Sequence, residues 1–219
     1  MMSNLFSVFD PTSSLLTNWL SIMLVFIMLP WTFWVMPTRT QVMWYSTTMK
    51  LNKEFSLLLG PNKSGSPLLL VSLFSFILFN NLLGMFPYLF TATSHLAVTL
   101  ALALPLWLSF LLRSWIQESK HALAHLVPLG TPPILMPFMV IIELVSNFIR
   151  PITLSVRLAA NMIAGHLLLT LLGNQAVDST ILPIIIVLSS QILLLMLEFS
   201  VAMIQAYVFT TLTTLYAGE

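Results

Sequence analysis

Residues 155–173 read SVRLAANMIAGHLLLTLLG, an apolar stretch typical of a membrane helix that nevertheless contains an arginine and a histidine. The charged residue nearest to Arg157 in sequence is Arg150, seven positions earlier. A charged side chain at the centre of a membrane helix costs at least about 2.5 kcal/mol, so it is by default a candidate for function. Arg157 is therefore the first candidate functional residue of this sequence.

The composition of the whole chain agrees with a membrane location. Of its 219 residues, 58% are hydrophobic and only 7% are charged, whereas a soluble domain has roughly 25% charged residues. The net charge of +1 and the lack of a basic run argue against nucleic-acid binding. The absence of cysteine excludes disulfides, thiol nucleophiles and cysteine metal sites. The sequence therefore predicts an integral membrane protein.

The first run without Lys, Arg, Asp or Glu is 28 residues long, at 11–38, and a membrane span needs about 20 residues. It predicts an upright transmembrane helix over about 15–36. The next segment, 39–60, has a mixed pattern that predicts an amphipathic helix on the membrane surface. In and just after it, four basic residues stand against one acidic residue: Arg39, Lys50, Lys53, Lys63 and Glu54. Because positive charge favours the inner side, we expect this segment inside and the N-terminus outside.

A second charge-free run, at 64–112, is too long for one span because it has 49 residues. The sequence FPYLFTATS, at 86–94, divides it. We therefore predict a first helical hairpin with spans at 67–89 and 95–115.

The last two apolar stretches, 135–173 and 181–217, predict a second hairpin made of unusually long helices. A helix of 39 residues is about 58 Å long, whereas the hydrocarbon core of a bilayer is about 30 Å thick. Such helices must be strongly tilted, or must bend at Pro137 or Pro151. The predicted fold is thus an all-α integral membrane protein with a single domain over 1–219.

Polar side chains recur along the first of these long helices at helical spacing. Glu143, Arg150 and Arg157 are seven residues apart, and Asn147 and Asn161 each follow a member of that series by four. These intervals place all five side chains on one face of the helix. The pattern predicts a polar stripe more than two turns long at membrane depth.

The last helix carries Glu198 and Gln205, again seven residues apart. If the two long helices are antiparallel, one register pairs Arg157 with Gln205 and His166 with Glu198. His166 lies about half a turn around the helix from Arg157 and further toward the outer side. These groups could simply join the two helices, but buried ion pairs add little net stability. A functional role is therefore the favoured interpretation.

Other polar residues give weaker signals. We interpret His95 as a loop histidine at the outer end of a span, capping or solvated. His121 and His125 have the i, i+4 spacing of metal ligands but no third ligand nearby, so no metal site is predicted. Asn80 and Asn81 either line a polar path or form hydrogen bonds between helices.

The sequence resembles subunit a of the ATP synthase membrane sector, in its mitochondrial form, over essentially the whole chain. The resemblance is carried by NLFSVFDP, FNNLLGMFPY, LALPLW and QAYVFTTLTTLY, and above all by ELVSNFIRPITLSVRLAANMIAGH at 143–166. The residues of these motifs are typical of an arthropod or similar invertebrate protein. The family fold implies one upright helix, a surface helix and two hairpins, the second with long, strongly tilted helices.

The resemblance also implies roles for individual residues. The family's essential arginine corresponds to Arg157. The other residues that match proton-translocating positions are Asn161, Glu143, Gln205, His166 and Glu198. At the last two positions bacterial members carry Glu and then His, whereas this chain carries His166 and then Glu198, as other mitochondrial forms do. A further departure from the bacterial pattern is Gly84, which stands where an aspartate of the inlet channel is expected.

The implied function is that of a proton-conducting stator subunit of a rotary ATP synthase, with two offset half-channels and an arginine facing carboxylates on a ring of c-subunit proteolipids. His166 and Glu198 would bring protons in, and Glu143 would let them out. The implied partners are the c-ring, other stator subunits, the lipid bilayer and protons, with no cofactor or metal. The subunit is not expected to be catalytic, since no phosphate-binding Gly-rich loop occurs. The implied location is the mitochondrial inner membrane, with the N-terminus in the intermembrane space and the C-terminus in the matrix.

Three other classes of protein agree less well with the sequence. A secondary transporter or antiporter subunit predicts internal repeats or broken helices, and the sequence contains neither. An intramembrane hydrolase needs a nucleophile beside a base, but Ser155 and His166 are three helical turns apart and out of hydrogen-bond reach. A purely structural subunit would leave the polar stripe unexplained.

Overall fold

The computed structural model of the chain describes residues 5–12, 17–30, 34–60, 66–86, 88–117, 135–177 and 181–218. These residues form six α-helices: α1 (Ser21–Met28), α2 (Arg39–Leu59), α3 (Ser66–Gly84), α4 (Leu96–Gln117), α5 (Met136–Val177) and α6 (Ile181–Gly218). Three short 3-10 helices complete them: Leu5–Phe9, Thr17–Leu20 and Ala92–Ser94. The described part of the chain contains no strand. The predicted all-α class is confirmed.

Four of the described helices, α3 to α6, are long and apolar enough to cross a membrane. With 42 and 38 residues, α5 and α6 are about 63 and 57 Å long. Both begin within one residue of the predicted starts, and α5 continues four residues beyond the predicted end. The strong tilt predicted for them follows from this length and stays a prediction.

The first helix is shorter than predicted. The prediction covered 15–36, but α1 ends at Met28 and the helical segment before it begins at 17. Leu29 has φ −62° and ψ 130°, which is an extended conformation. Pro30 explains the change, because a proline disfavours the helical conformation in the residue before it and has no N–H to continue the helix. A single helix over 15–36 is therefore not present.

Local sequence signals explain where the other helices begin and end. Thr38 and Gln41 form a reciprocal capping box at the start of α2, with the Thr38 N–H donating to Gln41 Oε1 at 2.8 Å. Gly60 follows the end of α2 with φ +75°, a conformation that glycine adopts without strain. Pro137 and Pro183 lie in the first turns of α5 and α6, where a missing N–H costs no hydrogen bond.

The chain divides into two compact units, and the first comprises Met1–His95 with Leu158–Glu219. Its central element is α3, which packs against α1, α2, α6 and the turn Ala92–Ser94. The largest buried apolar side chains of this unit are Phe55, Phe209, Leu70, Ile77 and Leu158. Because lipid tails are as apolar as leucine, such contacts stabilise the unit by close packing more than by removal of surface from water.

The second unit is Leu96–Arg157, formed by α4 and the first half of α5. The rings of Trp107 and Phe148 lie 5.2 Å apart between centroids and join the two helices. Residues of α5 belong to both units because this helix is long, and the single domain over 1–219 stays a prediction. Since α3 and α4 fall in different units, the first hairpin stays a prediction.

Hydroxyl groups inside the apolar helices are satisfied locally. The hydroxyls of Ser75, Thr99 and Thr213 each donate to the carbonyl three residues earlier, at 2.7 Å, 3.1 Å and 2.8 Å respectively. Such bonds let Ser and Thr lie in a membrane helix without an unpaired polar group. The unsatisfied polar groups described below therefore differ from most polar side chains of the described helices, with Ser21 Oγ as a further unpaired atom.

Candidate functional site

The second half of α5 lies antiparallel to α6 within the first unit. Asn161 Nδ2 donates to Gln205 Oε1 at 3.1 Å. Further along α5, His166 lies beside Glu198. These two contacts follow the antiparallel order that the sequence predicts, and the arrangement of the two helices as a hairpin stays a prediction.

His166 and Glu198 form a buried pair. His166 Nε2 is 3.8 Å from Glu198 Oε1, and the two side chains are 15% and 6% exposed. Neither that nitrogen nor either carboxylate oxygen has a hydrogen-bond partner among the described residues. At 3.8 Å the two groups are too far apart for a direct hydrogen bond. The site is therefore a close but incompletely satisfied pair of titratable groups, an arrangement suited to exchanging protons through water.

A backbone carbonyl orients the histidine. The Gly84 carbonyl at the end of α3 accepts a hydrogen bond from the His166 ring. Since Nε2 faces Glu198 and has no hydrogen-bond partner in the described part of the chain, Nδ1 is the ring nitrogen available to this carbonyl. With its proton held on Nδ1, a neutral imidazole directs the Nε2 lone pair toward Glu198. The carbonyl thus sets which nitrogen can receive a proton.

The space around Gly84 is narrow. A Cβ there would lie 3.0 Å from Met162 Cε and 3.0 Å from Thr91 Cγ2. This is tighter than ordinary contact, and an aspartate would need still more space. A side chain at position 84 would therefore require Met162 Cε or the Thr91 methyl group to move.

Glu198 packs directly onto the backbone of α5. A Cβ added at Gly165 would lie 2.7 Å from Glu198 Oε1 and 2.8 Å from its Cδ. A glycine at this point lets the carboxylate approach the helix, and it thereby fixes the distance to His166.

We expect Gly165→Ala to destabilise the protein and to displace the Glu198 carboxylate. Inserting a methyl group into a closely packed site typically costs about 1–3 kcal/mol. The matched control is Gly173→Ala, where the added Cβ would lie 3.7 Å from Gln191 Nε2, an ordinary contact. The midpoint of thermal unfolding in detergent should fall for the first variant and not for the second. Equal midpoints would contradict the close approach at Gly165.

A cavity of about 170 Å³ adjoins the same carboxylate. Its polar lining comes from Asn161 and Glu198, with Gly165 between them, and the remaining walls are apolar. A water molecule occupies roughly 30 Å³ in the liquid, so this space can hold several. The cavity therefore offers Glu198 the hydrogen-bond partners that the described residues do not supply.

Arg157 is exposed, although it lies in the middle of the apolar helix α5. It has no recorded hydrogen bond or ion pair within the described ranges of the chain. Its neighbours Ile152 and Val156 are also exposed. Gln205, the predicted partner of Arg157, instead accepts a hydrogen bond from Asn161. The pairing of Arg157 with Gln205 therefore stays a prediction. Arg157 thus presents an exposed guanidinium on a mainly apolar helix.

In the second unit, Glu143 and Arg150 form an ion pair, with Glu143 Oε1 3.8 Å from Arg150 Nη2. Both side chains are about one-third exposed. The contact places them on one face of α5, as their seven-residue spacing predicts.

No group of three His, Asp or Glu side chains within the described ranges is arranged to hold a metal ion. His121 and His125, the pair with metal-ligand spacing, lie outside the described residues. Sequence reasoning gave no role at this site to Gly165 and none to the Gly84 carbonyl. A small residue directly before His166 was the available signal for the former, while the latter required knowledge of which helices pack together.

The fold and the site define a class: a multi-pass helical membrane protein with ionisable side chains at membrane depth on two long helices. The family described as ATP synthase A chain matches residues 15–218. ATP synthase subunit a of Artemia franciscana is 64% identical over 219 residues, covering the whole of both chains. The subunits a of Anopheles gambiae and Drosophila melanogaster are 59% and 58% identical, covering all of this chain and 99% of theirs. The chain belongs to the ATP synthase subunit a family, and its predicted likeness to arthropod members is confirmed.

Proposed function

We propose that this subunit conducts protons through two offset half-channels to and from a rotating ring of c subunits, and so couples proton flow to ATP synthesis. The observation that carries the proposal is the exposed, unpaired guanidinium of Arg157 on the apolar helix α5 in the described part of the chain. A charge on such a surface is costly at membrane depth unless a group of opposite charge covers it. A carboxylate of the c-ring is a partner of that kind.

The chemistry at Arg157 follows from its permanent charge. A protonated, neutral carboxyl group can move through lipid, whereas an ionised one needs a partner. As a c-ring carboxyl approaches Arg157, the guanidinium stabilises its ionised form and promotes release of the proton. An arginine does not give up its own proton, so it cannot pass protons across. Arg157 therefore both discharges the c-ring carboxyl and separates the two half-channels.

His166 and Glu198 serve the inlet half-channel in this proposal. They lie beyond Arg157 on the outward side, assuming the orientation given by the positive-inside rule. Support comes from their 3.8 Å separation, their burial and the adjoining cavity, which together suit proton exchange through water. Asn161 and Gln205 continue the polar lining toward the c-ring through their hydrogen bond.

Glu143 serves the outlet half-channel. It lies fourteen residues before Arg157, about 21 Å along α5, at the end that the charge pattern of residues 39–60 assigns to the matrix. Its ion pair with Arg150 holds the carboxylate in place. The half-channels are thus offset along the membrane normal, and Arg157 stands between them.

Membership of the family supports assembly with other ATP synthase subunits in the mitochondrial inner membrane, with a non-catalytic role for this chain. We place the N-terminus in the intermembrane space and the C-terminus in the matrix. The secondary-transporter alternative expects broken helices around a central site, whereas α5 and α6 are each recorded as one uninterrupted helix.

Cysteine labelling tests the two half-channels. A cysteine in place of Glu143 or Asn147 should react with a thiol reagent supplied from the matrix side, and one in place of His166 with reagent from the opposite side. The native chain has no cysteine, so it adds no background. Labelling of both positions from the same side would contradict the proposed half-channels.

Two exposed positions calibrate the sidedness of that experiment. Lys50 on α2 is expected inside, and Tyr88, in the loop between α3 and α4, is expected outside. A cysteine at position 50 should react with reagent from the inside and one at position 88 with reagent from the outside. Both results are expected whether or not the proposed half-channels exist.

A further inference from the structure

His95 has an environment that its place in a loop does not predict. Its backbone N–H donates to the Ala92 carbonyl and so caps the turn Ala92–Ser94, in line with the capping interpretation. Its ring, however, is only partly exposed. The ring centroid lies 5.5 Å from that of Trp19 and 5.2 Å from that of Phe90. Its Nε2 is buried and has no hydrogen-bond partner among the described residues.

The loop that carries His95 is connected to the proton-handling pair. Thr91 packs against Gly84, whose missing Cβ would lie 3.0 Å from the Thr91 methyl group. The carbonyl of the same glycine holds the His166 ring. One residue of α3 therefore contacts both the loop before His95 and the histidine of the inlet half-channel.

Other polar atoms in this region are also buried without partners in the described part of the chain. They are Thr93 Oγ1 and both amide atoms of Asn81. Asn81 precedes Gly84 by three residues and shares its face of α3. Apart from Ser21 Oγ on α1, which is also buried without a partner among the described residues, most hydroxyls of these helices bond to their own backbone. The unpaired atoms around His95 therefore indicate a place where water belongs.

Two aromatic rings flank the imidazole of His95. Aromatic faces attract cations within about 6 Å of the ring centroid, and both neighbouring centroids lie inside that distance. The ring contacts recorded for His95 involve only Trp19 and Phe90 in the described chain. The elements packed against α3 carry other charged or titratable side chains: Arg39, Tyr45, Lys50, Lys53 and Glu54 on α2, and Glu198, Tyr207 and Tyr216 on α6. His166 on α5 lies beside the end of α3.

We propose that His95 is the outermost proton-relay residue of the inlet half-channel. It takes a proton at Nε2 from water on the outer side and releases it to water held by Thr93 and Asn81, which leads to His166. The ring passes from imidazole to imidazolium and back, so each transfer leaves it unchanged. This inference rests on the proposed function and extends its inlet half-channel by one residue.

The test is His95→Gln in the assembled complex, reconstituted into vesicles. The rate of proton-driven ATP synthesis is measured against pH on the outer side, with the inner pH held constant. We expect the maximum rate to fall by roughly tenfold or more, since positioned proton-transfer groups contribute factors of this size or larger. One ionisation should also disappear from the outer-side pH profile. Tyr88→Phe, in the same loop, should leave both readouts unchanged.

An unchanged rate and pH profile for His95→Gln would overturn the inference. If that variant does not assemble, Thr93→Val replaces it, because valine keeps the shape of threonine and removes the unpaired hydroxyl. A slower rate then supports the relay, and an unchanged rate rejects it. Arg157→Ala in the same vesicles distinguishes a failure of the proposed function from a failure of the His95 relay. If that variant still couples proton flow to synthesis, the proposed function fails; if it does not, a silent His95→Gln rejects only the relay.

Discussion

Replacement of Arg157 by alanine is expected to reduce coupled proton pumping by at least about a hundredfold, the usual effect of removing a key electrostatic group. The complex should still assemble, because the side chain is exposed and has no recorded partner within the described ranges. Without the guanidinium, no positive charge stabilises the ionised form of a c-ring carboxyl at this point, so release of its proton is not favoured. The barrier between the proposed half-channels is also lost. ATP-driven acidification of vesicles measures the loss, and native gel electrophoresis measures assembly.

Arg157→Lys should fail as well, which distinguishes the arginine from a simple positive charge. A buried lysine can lose its proton, and it lacks the planar fork that binds a carboxylate through two hydrogen bonds. Lys50→Ala, on the exposed face of α2, removes a positive charge elsewhere and should pump normally. Normal pumping by an assembled Arg157→Ala complex would rule out the mechanism.

Glu198→Gln and His166→Gln should each slow proton-driven ATP synthesis by about a hundredfold, because each removes one titrating member of a proton-transfer pair. The double variant should be little slower than either single one. Groups 3.8 Å apart act as a unit, so once one is lost the other has nothing left to exchange with. The pH dependence of the rate should change in every case, since coupled groups titrate together.

A double-variant cycle makes this quantitative. The control combines His166→Gln with Glu54→Gln, because Glu54 is an exposed residue on α2 and should contribute independently. Strictly additive losses for the pair of His166 and Glu198 would show that they do not act together. Strong coupling in the control would show instead that the assay responds to any loss of charge.

Much of the helical architecture can be predicted from the amino-acid sequence. A membrane helix must satisfy its own backbone, so long apolar runs without charge specify helices directly. The starts of α5 and α6 were predicted to within one residue for this reason. The seven-residue intervals likewise predict that Glu143 and Arg150 share a face and that His166 meets Glu198, because helix geometry is regular over several turns.

Contacts between different elements are less regular, and here prediction was less complete. The same register that pairs His166 with Glu198 also pairs Arg157 with Gln205, yet the recorded partner of Gln205 is Asn161, one turn further along. A small rotation or shift of one helix moves a side chain to another neighbour without changing any spacing in the sequence. The end of α1 at Met28 was also missed, although Pro30 was a local signal for it.

The surroundings of individual side chains depended entirely on how the elements pack. Gly165 is a small residue in the sequence, but its role arises because Glu198 of another helix approaches its backbone. His95 is a loop histidine in the sequence, whereas packing places its ring beside Trp19 and Phe90, with Nε2 buried. Helix formation depends on neighbours a few residues away, which a sequence displays. Burial and unpaired polar atoms depend on residues distant along the chain, which meet only after the helices have packed.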